Sequence, residues 1–268
     1  MEYDPIKNRL GGFFNRSPWL RKFFYRLLDL LLLRTWHVHK DLRQWMNAHK
    51  EPAYMLDAGS GFGQYSYYLA RKKKNLRILA VDVKEDQVLD CNRFFHEIGY
   101  DNVTFRVEDL VQYRENEVFD LVVSVDVMEH ILEDEAVFRN FHASMKPGAL
   151  LIINTPSDQG GSDVKEAGES SFIGEHVRDG YNMKDIEDKL RRAGFSRVEP
   201  RYTYGTPGKI SWKLSMKYPM LMLNAWIGFI VLLPFYYIIV FPFCLVLNAL
   251  DVSGDHTTGT GLVVKAWK

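Results

Sequence analysis

Cysteine is scarce in this chain: its 268 residues include two, Cys91 and Cys244. So few, and so far apart, they offer neither a disulfide framework nor a metal-ligand spacing, and they point to a reducing compartment. The histidines show no ligand-like clustering, although His37 and His39 are near neighbours, so no metal site is expected. Net charge is lacking too. Thirty-four Lys and Arg balance 34 Asp and Glu, so no overall field favours a polyanion. No added RNA-binding module is present either, and nucleic acid is excluded as an expected partner. A cleaved signal is not expected: the apolar run 23–33 is broken by Arg26 and Asp29, and no small-residue cleavage site follows.

What charge there is lies unevenly. Residues 1–50 hold ten Lys or Arg against four acids. Ser17-Pro18 supplies a capping hydroxyl and a first-turn proline for a helix over 17–34. Leu20, Phe23, Phe24, Leu27, Leu28 and Leu31 follow at helical spacing, and a second helical pattern carries Val38, Leu42, Trp45 and Met46. These two basic amphipathic helices either cap the domain's own core or lie in a lipid interface.

From residue 53 short apolar runs alternate with helical patterns. Strands are expected at 54–56, 78–83, 103–107, 121–125 and 150–153, with helices at 64–71, 85–98 and 133–145. A further helix over 182–193 and extended segments at 196–204 and 261–267 complete the set. Strand–helix alternation means βαβ units and a parallel sheet. The expected fold is therefore α/β: a doubly wound, seven-stranded Rossmann-like sheet, with N-terminal helices and an apolar helical insertion before the last strand.

Asp57-Ala58-Gly59-Ser60-Gly61-Phe62-Gly63 ends the first strand and opens a helix. Glycines there permit a tight turn and close backbone approach, and the helix N-terminus offers free N–H groups. The spacing Gly-x-Gly-x-Gly departs from the dinucleotide fingerprint, and an acid two residues ahead of Gly59 suits a cationic ligand. Asp82, followed by Val83, closes the second strand, where a carboxylate accepts hydrogen bonds from ribose hydroxyls. Asp109 and Leu110 end the third strand, placed to meet an adenine. Ser124 and Val125 end the fourth and run into Val127-Met128-Glu129-His130. In such sheets all of these converge beyond the strands' carboxyl ends.

With these motifs in this order, the chain resembles the class I S-adenosylmethionine-dependent methyltransferases over residues 50–204 and the final strand. Met145-Lys146-Pro147-Gly148-Ala149 is similar to the family's turn before the fifth strand, and the loop 174–181 resembles the substrate-side loop of its quinone- and lipid-type members. The resemblance implies S-adenosyl-L-methionine as cofactor, held by Asp57, Gly59, Ser60, Gly61, Gly63, Asp82, Val83, Asp109, Leu110, Ser124 and Val125. Methyl transfer needs a positioned acceptor and, for a hydroxyl or protonated amine, a base. His130 and His176 are the candidates, each with a structural hydrogen-bonding role as the alternative, and Glu129 either binds substrate or holds the loop.

In that family the sixth and seventh strands form a near-contiguous hairpin. Here 55 residues, 205–259, separate them, and 218–250 is 33 residues without one charge. If 261–267 joins the same sheet, the chain returns to the side it left, and two membrane crossings of about 20 residues each do not fit. Pro234 and Pro242 are expected to break a continuous helix. A shallow membrane-dipping hairpin follows, with a soluble lid or dimer interface as the alternative. The domain reading is 1–50 for the basic helices, 51–204 plus 260–268 for the cofactor domain, and 205–259 for the insertion. The expected function is methylation of an apolar or lipid-like acceptor, cytoplasmic and bound peripherally or monotopically to the inner face of a membrane. The alternatives are methylation of a soluble small molecule and a catalytically silent, cofactor-binding membrane adaptor.

Overall fold

Strands β1 (Ala53–Ala58), β4 (Phe119–Val125) and β5 (Met145–Pro156) are apolar over long stretches rather than at alternate positions. Parallel strands covered on both faces read this way, and Leu121, Val122, Val123, Leu151, Ile152 and Ile153 are fully buried. The computed structural model describes residues 17–160 and 177–268. In it these strands join β2 (Leu76–Asp82), β3 (Val103–Val107), β6 (Arg197–Thr203) and β7 (Gly261–Trp267) in one seven-stranded sheet, ordered β3-β2-β1-β4-β5-β7-β6. Strand β7 runs antiparallel between β5 and β6. Helices α2 (Leu33–Ala48), α3 (Gln64–Lys72) and α4 (Glu85–Glu97) pack Val38, Leu42, Leu69, Phe94 and Phe95 into one core cluster. On the opposite face α5 (Asp134–Ser144) and α6 (Met183–Arg192) contribute Val137, Phe138, Ile186 and Leu190 to a second. The expected doubly wound α/β fold is the one that forms. Strand order reverses between β1 and β4, so their carboxyl ends border a common crevice.

The stretch 17–34 is not one helix, contrary to its periodicity. Helix α1 (Pro18–Leu31) stops at Leu32, which is extended at φ −90° and ψ 112°, and α2 begins at the next residue. Nor does the leucine stripe of α1 turn to the core. Its buried side chains are Arg21 and Tyr25, while Trp19, Phe23 and Leu30 are exposed. The groups beneath explain this: the Phe62 carbonyl accepts from Arg21 Nη2 (3.0 Å) and from the Tyr25 hydroxyl, and Asp90, Cys91 Sγ and Tyr25 Oη take further Arg21 contacts. Unpaired buried acceptors cost more than a few half-exposed leucines. A second difference concerns residues 145–149, expected as a turn. They lie within β5, where pairing with β4 jumps from Phe119–Met145 to Leu121–Leu150, and Gly148 at φ +78° sits in the resulting bulge.

The insertion is a helical hairpin. One arm runs through α7 (Thr206–Trp212), a π-helical turn (Lys213–Lys217) and α8 (Tyr218–Ala225); after a 3₁₀ turn (Ile227–Val231), α9 (Leu233–Ser253) returns. Pro219 explains the π turn. It has no N–H for the Ser215 carbonyl, and the Tyr218 N–H reaches back to Lys213 rather than Leu214. Two carbonyls are thus released, and the opposite arm satisfies both: Tyr236 Oη donates to Leu214 O and Tyr237 Oη to Ser215 O, each at 2.7 Å. Pro234 lies in the first turn of α9. Pro242 lies inside a continuous helix, which corrects the expectation that it would break one. Helix α9 is long and apolar enough to cross a membrane, and little of it is buried.

Candidate cofactor and acceptor site

Asp57 ends β1 almost fully buried, and Ser66 Oγ donates to its Oδ2 at 2.6 Å. Burial pushes its carboxyl up to about 6, with Ser66 opposing the rise and nearby Asp82 adding to it. The next residues turn back over β2: the Gly59 and Ser60 N–H groups both donate to Val81 O at 2.9 Å. Gly59 has φ +77°, and a Cβ there would stand 2.3 Å from Val127 Cγ2. Gly61 has φ +50° and nothing within 4 Å of a built Cβ, so it borders open space. Its N–H donates to Asp82 Oδ2 at 2.9 Å, and Lys84 N–H to Asp82 Oδ1 at 3.0 Å. The glycine loop is thereby pinned to the end of β2. Gly63, also left-handed, caps α3. Val83 is exposed beside Asp82. Asp109 is exposed and takes the Val111 N–H on Oδ1 at 2.9 Å, while Leu110 is buried beneath it.

These groups fit S-adenosylmethionine, a cation bearing an amino acid and a nucleoside. Two carboxylates border the loop, a backbone cradle opens at Gly61, and the Ser60 and Ser124 hydroxyls are buried without a partner. Buried hydroxyls rarely stay unpaired. Ser124 and Val125 end β4, one fully and one half buried.

The acceptor side adds residues that sequence reasoning passed over. Asp126 follows β4 at φ +53° and Tyr204 follows β6 at φ +55°. Both are left-handed without being glycine, a strained state typical of functional sites. Arg34, at the start of α2, joins them: its guanidinium pairs with Asp126, and its backbone N–H donates to Tyr204 Oη at 3.0 Å. Glu129 lies on a 3₁₀ turn (Met128–His130), 1% exposed, and accepts from Thr155 Oγ1 at 3.0 Å. Burial, then the Asp126 charge, pushes its carboxyl up to about 8, against the pull of Thr155 and Arg34. His130 closes the same turn with an exposed side chain. His176 lies outside the described residues. The one signal available for Arg34 was a lone cation in a leucine-rich stretch; the positive φ values left no signal at all.

The N-terminal helices lock onto the cofactor loop as well. Besides the bonds to Phe62 O, Gln64 Nε2 donates to Asp29 Oδ1 at 2.8 Å, and His39 stacks on Tyr68 at 3.5 Å. His37 bonds Asp251 instead, at 2.8 Å. Among the described residues no group of three or more His, Cys, Asp or Glu side chains is placed to hold a metal ion.

Residues 49–198 match a family model described as a methyltransferase domain. Phosphoethanolamine N-methyltransferase 1 of Triticum aestivum is 30% identical over 147 residues, which cover 54% of this chain and 28% of the relative; the chain thus spans under a third of that protein. Phosphoethanolamine N-methyltransferase 2 of Haemonchus contortus, solved with S-adenosyl-L-methionine, superposes with TM-score 0.60 at 18% identity, covering 91% of this chain and 60% of the other. The [4+2]-cyclase SpnF superposes at 0.55 and 19% identity, over 95% and 84%. At those identities the structures show a shared fold, and the cyclase illustrates that this fold hosts more than one reaction. The likeness to quinone- and lipid-type members is not what these relatives display; two of the three carry phosphoethanolamine in their names. The family match and the sheet agree: the chain belongs to the methyltransferase-domain family, with a class I S-adenosylmethionine-dependent methyltransferase domain.

Proposed function

We propose that this chain methylates an apolar or lipid-like acceptor at a membrane surface, on the cytoplasmic face. One observation carries the reading. Strand β6 runs parallel to β5, so the apolar hairpin leaves β6 and rejoins β7 at the same end of the sheet as the cofactor crevice. Its root, Tyr204, is bonded to Arg34, which in turn pairs with Asp126. An acceptor held along the hairpin would therefore present its polar end to Asp126 and Glu129. Both cysteines are free and buried, consistent with a reducing compartment.

In this reading the bound cofactor supplies an electrophilic methyl group on a sulfonium. Asp57, Asp82 and the backbone of Gly59, Gly61 and Gly63 would hold it, with Ser60 and Ser124 donating to its polar groups. Val83, Asp109 and Leu110 would flank the adenine, and Val125 would line the methionine end. The acceptor hydroxyl would take the methyl group with cleavage of the sulfur–carbon bond, the cofactor leaving as a neutral thioether, and the Glu129 carboxylate would take the hydroxyl proton. His130 and His176 are the further candidates for that proton. Arg34 and the N-terminal helices exclude water from the crevice, which strengthens each of these contacts.

The relatives named for phosphoethanolamine favour a second reading, a soluble small-molecule acceptor. Methyl-labelled S-adenosylmethionine, incubated with purified protein and fractionated lysate, separates the two. Label in the organic-soluble fraction supports the lipid-like acceptor. Label confined to water-soluble small molecules overturns it and leaves the second reading.

A further inference from the structure

The hairpin is apolar where it faces outward and polar where its arms meet. Between the arms, Ser211 Oγ bonds Asn248 Oδ1 at 2.6 Å, and the hydroxyls of Tyr236 and Tyr237 cover the carbonyls freed by Pro219. Outside stand Trp226, Ile230, Val231, Leu232, Phe235, Ile238, Ile239 and Phe243, each at least half exposed. Apolar side chains outside with the polar groups paired inside is the arrangement that lipid demands.

The root of the hairpin limits how deep it can go. Asp251 is fully buried in the catalytic domain, bonded to His37 Nε2 (2.8 Å), Gly208 N (2.9 Å) and Tyr204 N (3.1 Å). Asn248, one turn earlier, is buried against Ser211 of the other arm. Of α9, residues 233–250 precede the Asp251 tie, about 27 Å of helix at about 1.5 Å per residue. A hydrocarbon core is about 30 Å thick. On the other arm Lys213 and Lys217 stand one turn apart, at the level where Tyr236 and Tyr237 cross over. Beyond them α8 adds eight residues, about 12 Å, with no charge before Asp251.

We infer that the hairpin tip, residues 218–235, is a monotopic anchor that enters one leaflet of an anionic bilayer, with Lys213 and Lys217 at the lipid phosphates. This rests on the membrane reading above and names its partner. Charge complementarity sets the choice of anionic lipid: two lysines bound an uncharged tip, and each lysine near such a surface strengthens binding several-fold. A second copy of the chain would meet no complementary acid on the tip.

Flotation of the full chain with vesicles tests this. The protein is expected to float with phosphatidylcholine–phosphatidylglycerol vesicles, and the double variant Ile230→Glu/Phe235→Glu to stay in solution with its cofactor binding intact. Lys213→Gln/Lys217→Gln should lower partition about tenfold on the anionic vesicles and leave it unchanged on pure phosphatidylcholine. A fluorophore on Ile230→Cys, with both native cysteines buried, should be quenched by nitroxides on the acyl chains and untouched by a quencher trapped in the lumen. Quenching from the lumen means a full crossing and overturns the inference. So does failure to float, or a dimer that dissociates in the tip variant without any lipid. A chain that floats as described while labelling only water-soluble molecules refutes the lipid acceptor and leaves the anchor standing; label in lipid without flotation does the opposite.

Discussion

Arg34 and Asp126, separated by 92 residues, form an ion pair beside the carboxyl end of β4, and both are only partly shielded from solvent. The pair ties the N-terminal helices to the end of β4, where Asp126 holds a left-handed conformation that a glycine would adopt more cheaply. Such pairs add little to stability when exposed. Its consequence is electrostatic, because Arg34 offsets the Asp126 charge that raises the neighbouring Glu129.

Replacing Arg34 with Met should therefore move the pH–rate profile. Without the guanidinium the Asp126 charge acts on Glu129 unopposed, and its carboxyl ionises at higher pH. The expected result is a rise in kcat displaced upward along the pH axis and a several-fold lower rate at pH 7, with the melting temperature nearly unchanged. An unshifted profile with a lower Tm would reduce Arg34 to a structural tie.

Glu129→Gln should cost about 100-fold or more in kcat if the carboxylate takes the acceptor proton, and should flatten the wild-type rise toward pH 8. Stability should change in the other direction. A carboxyl whose folded value is raised to about 8 keeps its proton after the unfolded chain has lost it. The folded state then binds more protons, and stability falls as pH rises between about 4.3 and that value. Glu129→Gln should thus match the wild type at pH 4 and exceed it at pH 8 in urea titrations without cofactor.

Gly59 and Gly61 should separate folding from binding. Gly59→Ala forces a Cβ to 2.3 Å from Val127 at positive φ and should destabilise by about 2 kcal/mol or more. Gly61→Ala meets no protein atom, costs only about 1 kcal/mol of backbone strain, and should instead weaken S-adenosylmethionine binding at least tenfold by calorimetry. Equal stability losses with undiminished affinity would move the cofactor away from this loop.

Pro219 and Tyr237 should behave as one unit. Tyr237→Phe strands the Ser215 carbonyl, at a cost of about 1–2 kcal/mol. Pro219→Ala restores the N–H that would bond it along the helix. In a double-mutant cycle the alanine should recover most of the tyrosine loss, measured by unfolding of the full chain; strict additivity would disconnect the two arms.

The strand-end positions of the candidate cofactor residues were legible in the sequence. Asp57, the three loop glycines and Asp82 stand at strand ends whose apolar runs mark them, and a parallel sheet brings strand ends together whatever the details of packing. Local stretches of the fold were equally plain, because β1, β4 and α4 each carry their periodicity within a few residues. Boundaries slipped where a long-range partner decided them: the bulge in β5 depends on β4, and the break at Leu32 on the ground beneath α1.

The sequence by itself determined the sheet, the glycine loop with its acids, and a charge-free insertion too short to cross a membrane twice. Only the tertiary structure decided which face of α1 turns inward, that Pro242 leaves α9 unbroken, and that Arg34, Asp126, Glu129 and Tyr204 share one end of the crevice. The reason is physical. Periodicity reports the average environment of a helix or strand, whereas a buried carbonyl such as Phe62 O, or one freed by Pro219, recruits its donor from anywhere in the chain that the fold brings near, and no local pattern records that choice.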